Sequence, residues 1–133
     1  SGIVLEKIAV RRMKITHYTA GYESTGKYPS DPTYGVTASG FKVFRGVVSA
    51  DRSIPFGTIV YDERYGWGIV LDRGGAIRGN KLDFYEPSVR TAIKKGAYVS
   101  YVTFYKRPEG MSLGEAVRLV KLLRANKVKV AIR

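Results

Sequence analysis

The sequence predicts a mainly β protein: a small barrel with helical additions. Three observations carry this expectation. Short apolar stretches alternate with a period of two, glycine-rich corners separate them, and only two segments read as helix. At 133 residues with 44% apolar content, the chain reads as a single domain, 1–133, able to bury one core.

Each element has its own signal. Ile8 to Thr19 is apolar at near-alternate positions, with Met13 and Ile15 in step, and reads as strand. Gly21 to Gly35 is rich in Gly, Ser, Pro and Tyr without a period, and reads as a long loop. Val43 to Ala50 is expected as strand, and Ile54 to Thr58 (I-P-F-G-T) as a turn. Thr58 to Asp72 reads as a β-hairpin around E-R-Y-G. Ser88 is placed to cap a short helix that Gly96 stops, and Ala97 to Tyr105 alternates as strand. Ser112 to Glu115 spells S-x-x-E, a capping box opening a helix that ends at Asn126, after which K-V-K-V-A-I-R returns to strand alternation.

Composition narrows the chemistry. The absence of cysteine removes disulfides, iron–sulfur clusters and thiol catalysis, and suits an exported protein. A net charge of +12 fits a nucleic acid, an anionic membrane surface or an anionic wall polymer, although the basic residues are spread along the chain and much of this charge reads as solvated surface. No apolar run reaches transmembrane length. Ser1-Gly2 reads as an expression remnant, so a leader is expected to be missing from this chain. His17 is the only histidine, which argues against a metal site or a Ser–His–Asp triad and marks it as a structural or surface residue. No metal or cofactor is expected. G-G-A-I-R-G lacks the G-K-[ST] ending of a phosphate loop. The ten tyrosines fall mostly in alternating strands, so no specific nucleic-acid partner is expected.

Carboxylates remain. In a chain with only 11 acidic residues, Asp51, Asp72 and Asp83 each sit at a strand edge beside apolar or small neighbours, in S-A-D, V-L-D and K-L-D. Each alone could cap a turn or pair with Arg52, Arg73 or Lys81. Three in similar contexts within one small barrel favour convergence on one site. Carboxylates gathered in a partly desolvated cleft repel, so one keeps its proton toward neutral pH, as the general acid of glycosidic cleavage must.

Three stretches in order then resemble a known family: V-T-A-S-G-F-K-V (Val36 to Val43), S-A-D-R-S-I-P-F-G-T (Ser49 to Thr58) and D-R-G-G-A-I-R-G-N-K-L-D-F-Y (Asp72 to Tyr85). Together they look like the three-aspartate (3D) domain, similar to the catalytic barrel of the membrane-bound lytic transglycosylase A family and to bacterial stationary-phase survival proteins. The likeness runs from Tyr34 to Tyr105 and marks residues 34–105 as the barrel core, with 107–133 as a helix-and-strand extension. It implies a double-psi β-barrel that cleaves the MurNAc–GlcNAc β-1,4 bond of peptidoglycan as a lytic transglycosylase. Asp83 matches the general acid and base, and Asp72 and Asp51 match supporting aspartates. Thr37 and Lys42 match a segment beside the glycan cleft. Gly74 and Gly75 belong to the turn that joins the two aspartates, and Asn80 is expected to donate a hydrogen bond there. The chain departs from many relatives at Arg73, which changes local charge. The resemblance further implies peptidoglycan strands as partner and an extracellular or cell-envelope location. Alternatives from other classes are a wall-polysaccharide-binding barrel without catalysis and, more distantly, a nucleic-acid-binding protein. The C-terminal extension is expected to pack as an accessory helix and edge strand, or to pair strands in a homodimer.

Overall fold

The computed structural model describes residues 2–133. Strand β1 (Val4–Tyr18) starts earlier than alternation alone marks. The exposed charged pair Glu6-Lys7 interrupts the apolar alternation ahead of Ile8. A single helical turn, α1 (Tyr22–Thr25), interrupts the expected loop. Strand β2 covers only Val47–Ala50, not Val43 onward, because Gly46 takes φ 135° and breaks the extended run. The hairpin appears as expected: β3 (Ile59–Asp62) runs antiparallel to β4 (Gly66–Asp72), with Ile59 opposite Ile69. Strand β5 is Lys81–Tyr85.

Helix α2 (Val89–Lys95) is capped by Ser88, whose Oγ accepts from Thr91 N at 3.2 Å, and Gly96 at φ 62° ends it. Strand β6 follows over Tyr98–Lys106. Helix α3 (Leu113–Arg124) carries both halves of its capping box: Ser112 Oγ accepts from Glu115 N, and Glu115 Oε1 accepts from Ser112 N. Asn126, at φ 55°, takes the left-handed conformation just past its end. Strand β7 is two residues, Ala131–Ile132, shorter than the expected run from Lys127.

Six strands close into a barrel in the order β5-β2-β4-β3-β6-β1, and the β1–β5 pairing shuts the ring. Two pairings are parallel, β1–β5 and β2–β4, and the rest antiparallel. This mixed closed ring is the double-psi barrel that the motifs imply, and closure leaves no bare edge within it. The ring takes in β1, which lies ahead of the 34–105 span. Strand β7 lies parallel to the start of β1, Val4 beside Ala131. Two residues give a second copy very little ladder to pair with.

Alternation sorts the side chains into two cores. Met13, Ile15, Val48, Val60, Val70, Leu82, Phe84 and Val102 fill the barrel and are fully buried. Each such side chain contributes roughly 1.5–3 kcal/mol by burial. Gly68 is required in this interior: a Cβ there would meet Val48 Cγ2 at 2.7 Å. The outward residues Val47, Ile59, Ile69, Leu71 and Tyr105 form the second core with Ala116, Val117, Leu119, Val120 and Leu123 of α3. The extension is thus packed on the barrel wall.

Candidate active site

The outward row that starts at Val47 changes character two residues on. Ser49 of β2 lies in register with Asp83 of β5 on one side and Asp72 of β4 on the other, and Thr16 of β1 flanks Asp83. Four neighbouring strands therefore bring Thr16, Asp83, Ser49 and Asp72 into one row. Asp72 reaches it through an irregularity. Val48 pairs with Val70 but Ser49 pairs with Asp72, so Leu71 is an extra residue that re-aims the chain after it. Without that bulge, strict alternation would turn Asp72 toward the barrel interior.

Asp72 is fixed on every side. Its Oδ2 accepts from Tyr18 Oη at 2.8 Å, and its Oδ1 accepts from the backbone N–H of Ala38 (2.8 Å) and Arg73 (2.9 Å). Burial, ahead of the Asp72 charge, pushes the Tyr18 hydroxyl far up, so it stays a donor. Asp83 is held more loosely. Its Oδ1 accepts from Thr16 Oγ1 at 2.9 Å, and its carboxyl is pushed up to about 6. Burial is the main cause; the Thr16 hydrogen bond opposes it, and the Asp72 charge adds to it. Desolvation, and not the mutual repulsion expected from clustered carboxylates, dominates here.

Asp72 and Asp83 line one cavity of about 500 Å³, with Tyr18, Ser49, Val36, Thr37 and Ala38, the Arg73-Gly74-Gly75 turn, and Ser24, Thr25, Lys27 and Thr33 from the Gly21 to Gly35 stretch. The 36–39 segment is tied down over it: Ser39 N donates to Leu71 O, and Thr37 Oγ1 pairs with Ser39 Oγ at 2.9 Å.

Asp51 is not in this cavity. It lines an adjacent one of about 460 Å³ with Arg52, Ile77 and Arg78, sharing only Arg73, Gly74 and Gly75 with the first. Hydrogen bonds from Ser53, then from Gly79 N, hold its carboxyl down at about 2. It does not figure among the groups that shift Asp83. The structure therefore brings two of the three aspartates together, and Asp51 is a turn anchor that ties residues 51–53 to Gly79. The guanidinium of Arg73, the residue that departs from the expected pattern, makes no hydrogen bond to any of the three carboxylates, although its charge is felt by Asp51 and Asp72. It stacks over Phe56 at 4.2 Å and donates to the carbonyls of Ala50 and Ile54, which makes it the wall between the two cavities.

Two expected cleft residues lie elsewhere. Lys42 lines a separate cavity with Thr19, Tyr34 and Tyr85, because the Val36–Lys42 bridge folds that segment back on itself. Asn80 is exposed, and its Oδ1 accepts from Arg11 Nη2 at 2.6 Å rather than donating into the cleft. His17 is structural. Its ring sits among Tyr65, Phe84 and Tyr98 with Nδ1 3.1 Å from Gly96 O, and burial pushes its pKa down. Among the described residues no group of three or more His, Asp or Glu could hold a metal ion. No helix among them is long and apolar enough to cross a membrane.

Thr16 and Tyr18 carry no motif that marks them in sequence, and Ser49 lies inside the S-A-D motif without being singled out there. Thr16 and Tyr18 alternate with the core residues Met13 and Ile15, so the period of β1 already puts them on the outer face; only the parallel pairing with β5 brings them to the site.

Residues 46–106 match the model of the 3D domain. The chain is similar to the cell wall-binding protein YocH of Bacillus subtilis (strain 168), 42% identical over 67 residues, covering 47% of this chain and 23% of that protein. It is also similar to the putative cell wall shaping protein YabE of the same organism, 41% identical over 51 residues, covering 38% of this chain and 12% of that protein. The matched stretch thus spans less than a quarter of either relative. Two crystal structures of MltA from Escherichia coli, one described as a lytic transglycosylase fold, align at 26% identity with TM-scores of 0.48 and 0.47, covering 55% of this chain and 28% of MltA.

Proposed function

With residues 46–106 forming a 3D domain, we propose that this chain acts on the bacterial cell wall, in the cell envelope or outside it, as a peptidoglycan lytic transglycosylase. A wall-related role is supported by the family match and by relatives named for wall binding and wall shaping. The observation that carries catalysis is Asp83, half-buried beside the anchored Asp72 in a shared cavity, with a carboxyl pushed up to about 6.

The chemistry rests on that pair. Protonated Asp83 donates to the glycosidic oxygen as the C1–O bond breaks, and the Asp72 charge stabilises the oxocarbenium character that develops. Asp83, now a carboxylate, takes the proton from the MurNAc 6-hydroxyl as that oxygen attacks C1 and closes the 1,6-anhydro ring. No water enters. Asp83→Asn keeps the shape but removes the transferable proton, so turnover of purified peptidoglycan should fall by about 10²–10⁴-fold or more. An Asp83→Asn protein that is folded and keeps most of its activity refutes the role.

The second reading is a wall-binding barrel without catalysis, favoured by the wall-binding name of one relative. It predicts that wild-type protein sediments with purified walls and releases nothing from them.

A further inference from the structure

Ser49 is 3% exposed, and its Oγ has no hydrogen-bond partner among the described residues. A buried hydroxyl without a partner is costly, and alanine would fill the same place without that cost. The other such atom, His17 Nε2, lies among aromatic rings, whereas Ser49 lines the cavity it shares with both aspartates. Strand register sets Ser49 between Asp83 and Asp72. Gly74 stands next to it, where a Cβ would lie 3.5 Å from the hydroxyl; Oγ itself is closed to water, so a sugar reaches it only when the adjoining glycine turn gives way.

We propose that Ser49 Oγ is the recognition point for a ring hydroxyl of the bound glycan, read between the two aspartates. This rests on the glycan-cleaving role of the same cavity. A hydroxyl can donate and accept, so it suits a sugar hydroxyl, and a site built around a hydrogen bond rejects an analogue that lacks the group. The protein carries the cost of an unpaired hydroxyl when empty and recovers it when the sugar arrives.

Calorimetric titration of peptide-free glycan strands into the inactive Asp83→Asn protein tests this, with Ser49→Ala and Ser49→Cys added in turn. Cysteine keeps the shape, with a somewhat larger atom and a much weaker hydrogen-bonding group. Both double variants should bind ~3- to 10-fold more weakly than Asp83→Asn alone, the usual worth of one neutral hydrogen bond. Ser49→Ala should also melt at or above its parent, because an unpaired polar group has gone. Weaker binding with a lower melting temperature would make Ser49 a structural residue and overturn the assignment. Unchanged affinity would overturn it while leaving the glycan-cleaving role intact. No binding by Asp83→Asn itself would remove that role and this inference together.

Discussion

At the scale of single residues, the two aspartates of the cavity differ in their surroundings. Asp72 spends its oxygens on three hydrogen bonds, while Asp83 has one donor, Thr16, and is largely desolvated. The folded-state pKa of Asp83 lies above its unfolded value of 3.8, so the folded form holds the proton more tightly. Its favourable contribution is therefore complete below about 3.8 and lost as pH rises through about 6. Asp83→Asn, which cannot ionise, should then melt above wild type at pH 7–8, with the difference closing near pH 4; equal melting curves at both pH values would contradict a desolvated Asp83. In the proposed reaction the same proton would set the activity profile, whose alkaline limb should lie near pH 6. Because the Asp72 charge helps raise Asp83, Asp72→Asn should move that limb to lower pH. Asp51→Asn should leave it in place, since Asp51 faces another cavity. A pH–rate series on the two variants checks this, and a limb that moves with Asp51 instead would reverse their roles.

Among the elements, β5 and α2 are joined by a buried ion cluster. Glu86, fully buried just past β5, accepts from Arg45 Nη2 at 2.5 Å and from Lys95 Nζ of α2 at 3.1 Å. Burial works to raise its carboxyl, but the hydrogen bonds and charges of Arg45 and Lys95 outweigh it and hold the pKa below the ordinary 4.5. Glu86→Ala leaves those two cations without their partner and should destabilise the fold by ~3 kcal/mol, read by urea denaturation; the half-exposed Arg45 tempers the loss. Being depressed, Glu86 contributes above 4.5 and less as pH falls through its folded value, so the wild-type melting temperature should drop on acidification in that range and drop less in Glu86→Ala. Elements with local signals are legible in sequence: the hairpin by its alternation, α2 and α3 by their caps. Features set by pairing are not. The Leu71 bulge leaves no mark in a run of apolar residues, yet it decides which way Asp72 faces. The Asp72–Asp83 cavity is visible as three motifs in order, but nothing local shows that Asp51 turns to the far side of Arg73, that Lys42 folds back beside Val36, or that Asn80 is engaged by Arg11 on β1.

For the molecule as a whole, one barrel carries both the cavity and a net charge of +12. A positive surface should hold the protein on anionic wall polymers, and screening should loosen it. Retention on purified walls should therefore fall as salt rises from ~50 to ~500 mM, while nucleic-acid binding stays weak and unselective at physiological salt. Tight, sequence-selective binding to nucleic acid would place the charge in a different role. In the proposed reaction, Asp83 activates a sugar hydroxyl and not water. Mass spectrometry of muropeptides released from purified peptidoglycan tests it most directly. The expected products are 1,6-anhydro muropeptides, each lighter by one water than the corresponding hydrolysis product; reducing-end muropeptides, or no release at all, would refute the proposed reaction.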